Sequence, residues 1–174
     1  MKPNLKSKLD YHYRYFDKSK ISPDPLEFLH RYKDYHDIEI TGIISSVFAY
    51  GNVTQIINTL EKLHVLMKHQ PYKFVMNYSK WKFKHSFDSV KHRFYSEADI
   101  DALFIALNKI YTSYGSLKYL FLLYYFDKDK NLKEAISFFS KHMIEIMTNG
   151  GKPSHGIKFM FPDPYRGSAC KRIN

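Results

Sequence analysis

Cysteine is almost absent from this chain, which has one, Cys170, among 174 residues. A single thiol excludes an internal disulfide framework and a cysteine-based zinc cluster, and it is typical of a reducing compartment. The nine histidines also lack the i, i+4 spacing of metal ligands on a helix. We therefore expect no bound metal, no other cofactor and a cytoplasmic location.

Long apolar runs are missing as well. The longest, residues 119–126, is about eight residues, whereas a membrane-spanning helix needs roughly 20. The first 16 residues contain no apolar core of signal-peptide length. No βαβ alternation and no glycine-rich phosphate loop occur. These absences exclude a nucleotide-binding α/β fold and predict a protein that does not associate with membranes.

Acidic residues are too few to balance the basic ones, since 27 Lys and Arg face 17 Asp and Glu, for a formal net charge of +10. The excess is concentrated in residues 1–20, 61–95 and 151–174, which carry +4, +6 and +4, whereas residues 21–60 and 96–150 carry −3 and −1. Separate basic blocks favour a nucleic-acid partner, because cations attract phosphates. The alternative is an A·T-rich genome, which raises lysine content everywhere.

Helical periodicity dominates the chain and predicts an all-α fold, an orthogonal array of about seven to eight helices. The capping box Ser96-Glu-Ala-Asp99 predicts one helix start. Asp37 is the expected N-cap of an apolar helix at 38–50, with Glu39 in its first turn. That helix should be central, packed by 53–68 and 98–114. Further helices are expected at 5–16, 26–35, 71–77, 117–126 and 132–147.

The chain divides into a helical domain, residues 1–150, and a Pro/Gly-rich loop with the start of a further helix, residues 151–174. The expected helix begins at Gly167-Ser168, so only a few of its residues precede Asn174, and so short a helix is unstable alone. The chain is then either the N-terminal part of a longer protein or ends in a short docking tail, and these residues alone favour neither.

Residues 79–95 alternate cations with aromatic rings, which allows two interpretations. Single-strand nucleic-acid binders use such pairs, because bases stack on rings while cations follow the backbone. We favour the other interpretation, in which the rings of Trp81, Phe83, Phe87 and Phe94 belong to the core. The cations on this segment are candidate nucleic-acid contacts in either case: Lys80, Lys82, Lys84, Lys91 and Arg93.

The end of the chain, Asp163-Pro-Tyr-Arg-Gly-Ser-Ala-Cys-Lys-Arg-Ile-Asn174, resembles the SACKR-x-N block of an uncharacterised bacterial family, a domain of unknown function. The resemblance covers essentially the whole chain. It extends to Asp37-Ile-Glu-Ile-Thr-Gly42, Ala49-Tyr-Gly-Asn52, Pro71-Tyr-Lys-Phe-Val-Met-Asn77 and His92-Arg-Phe94. Members of that family continue with an aromatic, basic helix and a Pro-Leu-Asp-x-His segment. Neither is present here, so the chain is similar to the N-terminal two thirds of a member.

The layout of that family is similar to helix-hairpin-helix DNA glycosylases, in which a lysine at a helix start attacks a flipped-out nucleotide and an aspartate assists. The resemblance implies Lys171 as the nucleophile, Arg172 as a phosphate contact and Arg166 as a further nucleic-acid contact. It implies a DNA-binding, base-excision protein. The alternatives are a nucleic-acid binder without catalysis, and an inactive remnant or protein-interaction module. The oligomeric state is not predicted.

Overall fold

The computed structural model describes residues 4–79, 83, 86–90 and 92–172. These ranges contain no β-strand, only an isolated bridge between His92 and Tyr95, and the predicted all-α fold is confirmed. The α-helices in the described part of the chain are α1 (Leu5–Tyr15), α2 (Tyr35–Phe48), α3 (Val53–Leu66), α4 (Pro71–Met76), α5 (Glu97–Tyr114), α6 (Leu117–Leu122), α7 (Lys133–Thr148) and α8 (His155–Met160).

Three 3₁₀ helices complete the described secondary structure: η1 (Lys18–Lys20), η2 (Pro25–Arg31) and η3 (Pro164–Arg166). The helix expected at 26–35 is thus the 3₁₀ helix η2, which begins where the Asp24 carboxylate accepts the backbone N–H of Leu26 at 2.8 Å. The N-cap expected for the apolar helix is wrong. Asp34 caps α2 by accepting the backbone N–H of His36, so Asp37 lies in the first turn.

Helix α5 begins as predicted. Ser96 and Asp99 form a reciprocal capping box, and Gly115 ends the helix in the left-handed conformation with φ of 78°. The Pro/Gly-rich loop expected after residue 150 is partly wrong, because it contains α8. Ser154 starts α8 by accepting the backbone N–H of Ile157. Six residues are less than two turns, too few for an apolar period to be visible in sequence.

Helix α2 lies in the core and packs on α3, as predicted, but the expected packing of 98–114 against it is largely wrong, because α5 packs mainly on other helices. Ile40, Ile44 and Phe48 of this helix are fully buried, and α2 packs mainly on η2, α4 and α3. Helix α5 packs mainly on α7, α4 and α6. It reaches α2 through Tyr111, whose hydroxyl donates to the Glu39 carboxylate. Burial and, next, this carboxylate raise the pKa of Tyr111.

The aromatic residues of segment 79–95 divide between core and surface. Phe87 is buried, and Phe83 is partly buried against the core, so for these rings the core interpretation is confirmed. It is wrong for Phe94, which is 46% exposed. Trp81 lies outside the described residues.

The first helix differs from the others because α1 buries none of its residues. Its apolar side chains, including Leu9 and Tyr13, are exposed. None of the helices in the described ranges combines the length and the apolar character that crossing a membrane requires.

Candidate functional site

The site begins at the C-terminal end of α2. The helix stops at Phe48, and the backbone then passes through Gly51, whose φ of 120° is open to glycine but strained for other residues. Asn52 immediately starts α3 by capping the N–H of Gln55. This short connection leaves the ring of Tyr50 at the surface, 42% exposed.

Helix α8 lies against Tyr50 and forms a second side of the site. Its Ser154 hydroxyl donates to the carboxylate of Asp99, which ties the start of α8 to the start of α5. Gly156 makes this approach possible, because a Cβ there would lie 2.4 Å from Oδ2 of Asp99 and 2.9 Å from the carbonyl oxygen of Phe94. The seated helix brings the half-buried ring of Phe159 within 4.8 Å of the Tyr50 ring, and Lys158 stays exposed.

The residues that follow α8 form a third side of the site. Asp163 starts η3 by accepting the N–H of Tyr165 at 2.9 Å, and Gly167 ends it with φ of 82°. The Ser168 hydroxyl accepts the N–H of Cys170, whose thiol is 4% exposed and donates to the carbonyl oxygen of Pro162. Residues 168–172 form a turn and irregular backbone, so the helix expected from 167–168 is not found in the described residues.

Arg172 holds this segment against the fold. Its guanidinium donates to the carbonyl oxygens of Val47 at 3.0 Å and Phe159 at 2.6 Å, and to the Tyr95 hydroxyl at 3.3 Å. Its own carbonyl oxygen accepts from the Ser46 hydroxyl. Burial raises the pKa of Tyr95, and the Arg172 guanidinium opposes that shift. A single side chain therefore joins α2, α8 and the turn before α5.

The connection after α2, helix α8 and the residues that follow α8 line a surface pocket of about 540 Å³, which we call the Tyr50 pocket. Among the described residues that line it, three are cations, two are aromatic and none carries a carboxylate. They are Ala49, Tyr50, Lys158, Phe159, Pro162, Ser168, Ala169, Cys170, Lys171 and Arg172. The pocket thus combines positive charge with ring surface.

A larger pocket of about 710 Å³ adjoins it and shares Lys158, Pro162 and Ser168. We call it the α7 pocket, because α7 supplies much of its wall. Its charges are mixed, since Arg166 lines it together with the carboxylate of Asp163. Burial alone would raise the pKa of Asp163, but hydrogen bonds from Tyr165 and Ser137 hold that pKa below its ordinary value.

The structure brings together four of the sequence-predicted site residues. Lys171 is exposed and lines the Tyr50 pocket, and Arg93 lies over the Tyr50 ring at 5.0 Å. Arg166 lines the neighbouring pocket, and Arg172 uses its guanidinium on the protein itself. The remaining candidates, Lys80, Lys82, Lys84 and Lys91, lie outside the described residues.

Three further residues of this site, Tyr50, Lys158 and Phe159, were not predicted from the sequence. Tyr50 was assigned to the end of a helix, and the other two were assigned to a loop. Ser154 is a typical N-cap residue, and this signal could have located α8. No local pattern could have placed α8 against Tyr50, because these residues are more than 100 positions apart in the chain.

Metal ligands do not gather in the part of the chain that the structure describes. No group of three or more His, Cys, Asp or Glu side chains lies close enough there to hold an ion. Two of the buried histidines, His64 and His92, instead face tyrosine and threonine side chains. Nδ1 of His64 lies 2.6 Å from the Tyr32 hydroxyl, and Nδ1 of His92 lies 3.3 Å from that of Thr59.

A family model described as "Protein of unknown function (DUF2400)" matches residues 24–174. This range contains α2 to α8 and every residue of the two pockets, and it excludes α1. No curated protein and no solved structure matches the chain.

Proposed function

The chain belongs to the DUF2400 family of unknown function, and we propose that it binds DNA at the Tyr50 pocket. The observation that carries this proposal is the lining of the pocket, whose described residues combine Lys158, Lys171 and Arg172 with two aromatic rings and include no carboxylate. Cations bind phosphates, and rings offer surface to bases. The volume of about 540 Å³ lies within the range of small-ligand pockets and would hold one extruded nucleotide.

Charge reversal at the pocket tests DNA binding. Lys158→Glu places a carboxylate in the Tyr50 pocket, so we expect its affinity for a fluorescein-labelled oligonucleotide to fall at least tenfold in fluorescence anisotropy. Lys109→Glu makes the same change of charge on an exposed residue of α5 outside the pocket and should have little effect. Equal affinities of the two variants would place DNA binding elsewhere, and no binding by the wild-type protein would remove the proposal.

A second candidate function is base excision, favoured by the exposed amine of Lys171 at this pocket. In that reaction the neutral Lys171 Nζ attacks the sugar C1′ of an extruded nucleotide. The bond from C1′ to the base breaks, the base leaves with a proton, and opening of the sugar ring yields an imine between Nζ and C1′. Asp163 lines the adjoining pocket and is held by Ser137 and Tyr165, so we assign it no part in this step.

Abasic-site DNA is the appropriate probe for this chemistry. Its free aldehyde condenses with an amine and releases water, without departure of a base, and borohydride then reduces the imine to a stable amine. We expect a covalent adduct with the wild-type protein and none with Lys171→Ala. Lys158→Ala removes the other amine of the same pocket and should lower the yield without abolishing it. An adduct that survives Lys171→Ala would assign the chemistry to another residue and exclude Lys171.

A further inference from the structure

At the Tyr50 pocket, four rings in successive edge-to-face contact make up what we call the aromatic patch: Tyr50, Phe94, His155 and Phe159. Phe94 lies 5.2 Å from both His155 and Phe159, and Phe159 lies 4.8 Å from Tyr50, measured between ring centroids. Tyr50 and Phe94 are 42% and 46% exposed. Exposed aromatic clusters at the rim of a charged pocket are candidate binding surfaces.

A backbone turn with both ends anchored keeps the Phe94 side chain exposed at the surface. His92 and Tyr95 form an isolated bridge, closed by a 3.0 Å hydrogen bond from the Tyr95 N–H to the His92 carbonyl oxygen. Both of these residues are buried, and the Tyr95 hydroxyl donates to the carbonyl oxygen of Val47. With both ends of the turn anchored, Arg93 and Phe94 at its tip are left at the surface, and Arg93 has a φ of 49°.

Two arginines contact the rings of the aromatic patch. The Arg93 guanidinium lies over Tyr50, and this needs a glycine at position 51, because a Cβ there would come within 2.6 Å of Arg93 Nε. The Arg172 guanidinium lies 4.4 Å from the centre of the Phe159 ring. The carboxylate of Asp99 lies beside Phe94 and Gly156, but Asp99 is only 4% exposed and accepts hydrogen bonds from Ser96 and Ser154. Its negative charge is therefore buried rather than presented at the surface of the patch.

We infer that the aromatic patch stacks unpaired nucleobases, so that the protein prefers single-stranded or locally unpaired DNA to duplex. In a duplex the base faces are covered by their neighbours, whereas in a single strand they are free to stack on exposed rings. Arg93 at the edge of the patch, with Lys158 and Lys171 in the pocket, supplies charge for the connecting phosphates. This inference rests on the proposed DNA binding.

The experiment compares one labelled oligonucleotide, alone and annealed to its complement, by fluorescence anisotropy. We expect the wild-type protein to bind the single strand at least tenfold more tightly. Phe94→Ala should weaken single-strand binding about tenfold, within the range found for base–aromatic stacking, and should change duplex binding little. Phe94→Trp should restore single-strand affinity, and its added tryptophan fluorescence should be quenched on binding, which a merely structural role of Phe94 does not predict.

Tyr119→Ala is the matched control, because Tyr119 is an exposed ring of α6 outside the patch, and it should bind like the wild type. Circular dichroism of each variant checks the helical fold. Equal affinity for the two DNA forms, or unchanged single-strand binding by Phe94→Ala, overturns the inference and leaves DNA binding intact. No binding to either form overturns both. Self-association that Phe94→Ala abolishes would assign the patch to a second copy of the chain and overturn the inference.

Discussion

Lys171 and Arg172 are adjacent cations with different surroundings. The resemblance implied that Arg172 contacts phosphate, and that role stays a prediction. In the structure its guanidinium donates to Val47, Phe159 and Tyr95. A planar guanidinium suits this position because its donors lie on separate nitrogen atoms of a rigid fork, whereas the donors of an ammonium group share one nitrogen. The side chain of Lys171 is exposed instead, so Arg172 positions the pocket wall from which the Lys171 amine is presented.

Among single residues, His64 makes stability depend on pH. Burial chiefly, and next the positive charge of Arg31, lower the pKa of His64 from 6.5 to about 4. The folded state therefore favours neutral His64. This contribution is fully present above the unfolded pKa and is lost as pH falls from 6.5 towards 4. We expect the free energy of unfolding in urea to fall by about 2 kcal/mol between about pH 7.5 and about pH 5 from this group.

The His64→Gln variant tests this assignment. Its loss of stability over the same pH interval should be smaller than that of the wild type, because glutamine does not titrate. Some pH dependence should persist, since burial also lowers the pKa of His92. His30→Gln, a change at an exposed position, should keep the wild-type slope. A wild-type slope in His64→Gln would show that the acid sensitivity arises elsewhere.

At the scale of elements, α2 caps two helices other than itself. The two carboxylate oxygens of Glu39 accept the backbone N–H groups of Leu117 and Lys118 at 3.0 and 2.8 Å, at the start of α6. Asp37 accepts the N–H of Tyr72 at 2.8 Å, at the start of α4. From the sequence, Asp37 and Glu39 were expected to stabilise the start of α2 itself, because a sequence pattern reveals only partners that are close along the chain.

Glu39→Gln should therefore destabilise α6. The amide keeps one oxygen acceptor but turns an NH₂ group towards a backbone donor, so we expect the free energy of unfolding in urea to fall by about 2 kcal/mol. Amide hydrogen exchange at Leu117 and Lys118 should accelerate as well. Glu134→Gln, an exposed first-turn acid of α7, should cost only a few tenths of a kcal/mol. Unchanged exchange at Leu117 and Lys118 would contradict the capping role.

Periodicity predicted elements better than it predicted their contacts. Helices α1, α3, α4 and α5 lie where apolar spacing and the Ser96 capping box placed them. The helix expected at 117–126 ends at Leu122, and Leu123 and Phe126 are exposed, so an apolar run there did not mark a buried helix. Lys171 could be singled out from its motif. Its neighbours Tyr50 and Phe159 could not, because only the tertiary fold brings them together.

On the scale of the whole molecule, two of the three basic blocks contribute residues to the same site. Lys158, Lys171 and Arg172 from the C-terminal block meet Arg93 from the middle block around Tyr50. The described cations of the N-terminal block lie on or just after α1, outside the range matched by the family model. The net charge of +10 is therefore concentrated in part at one site, which favours a phosphate-bearing partner there.

This concentration of charge predicts how DNA binding responds to salt. If Arg93, Lys158, Arg166 and Lys171 each neutralise one phosphate of a single strand, log affinity should fall linearly with log salt concentration, with a slope of about −3. Lys158→Gln removes one contact and should reduce the slope by about 0.7, whereas Lys109→Gln should leave it unchanged. Anisotropy titrations across a salt series measure both slopes. A slope near zero would mean that binding does not involve phosphates, and an equal loss in both variants would mean that overall charge attracts the DNA rather than the Tyr50 pocket.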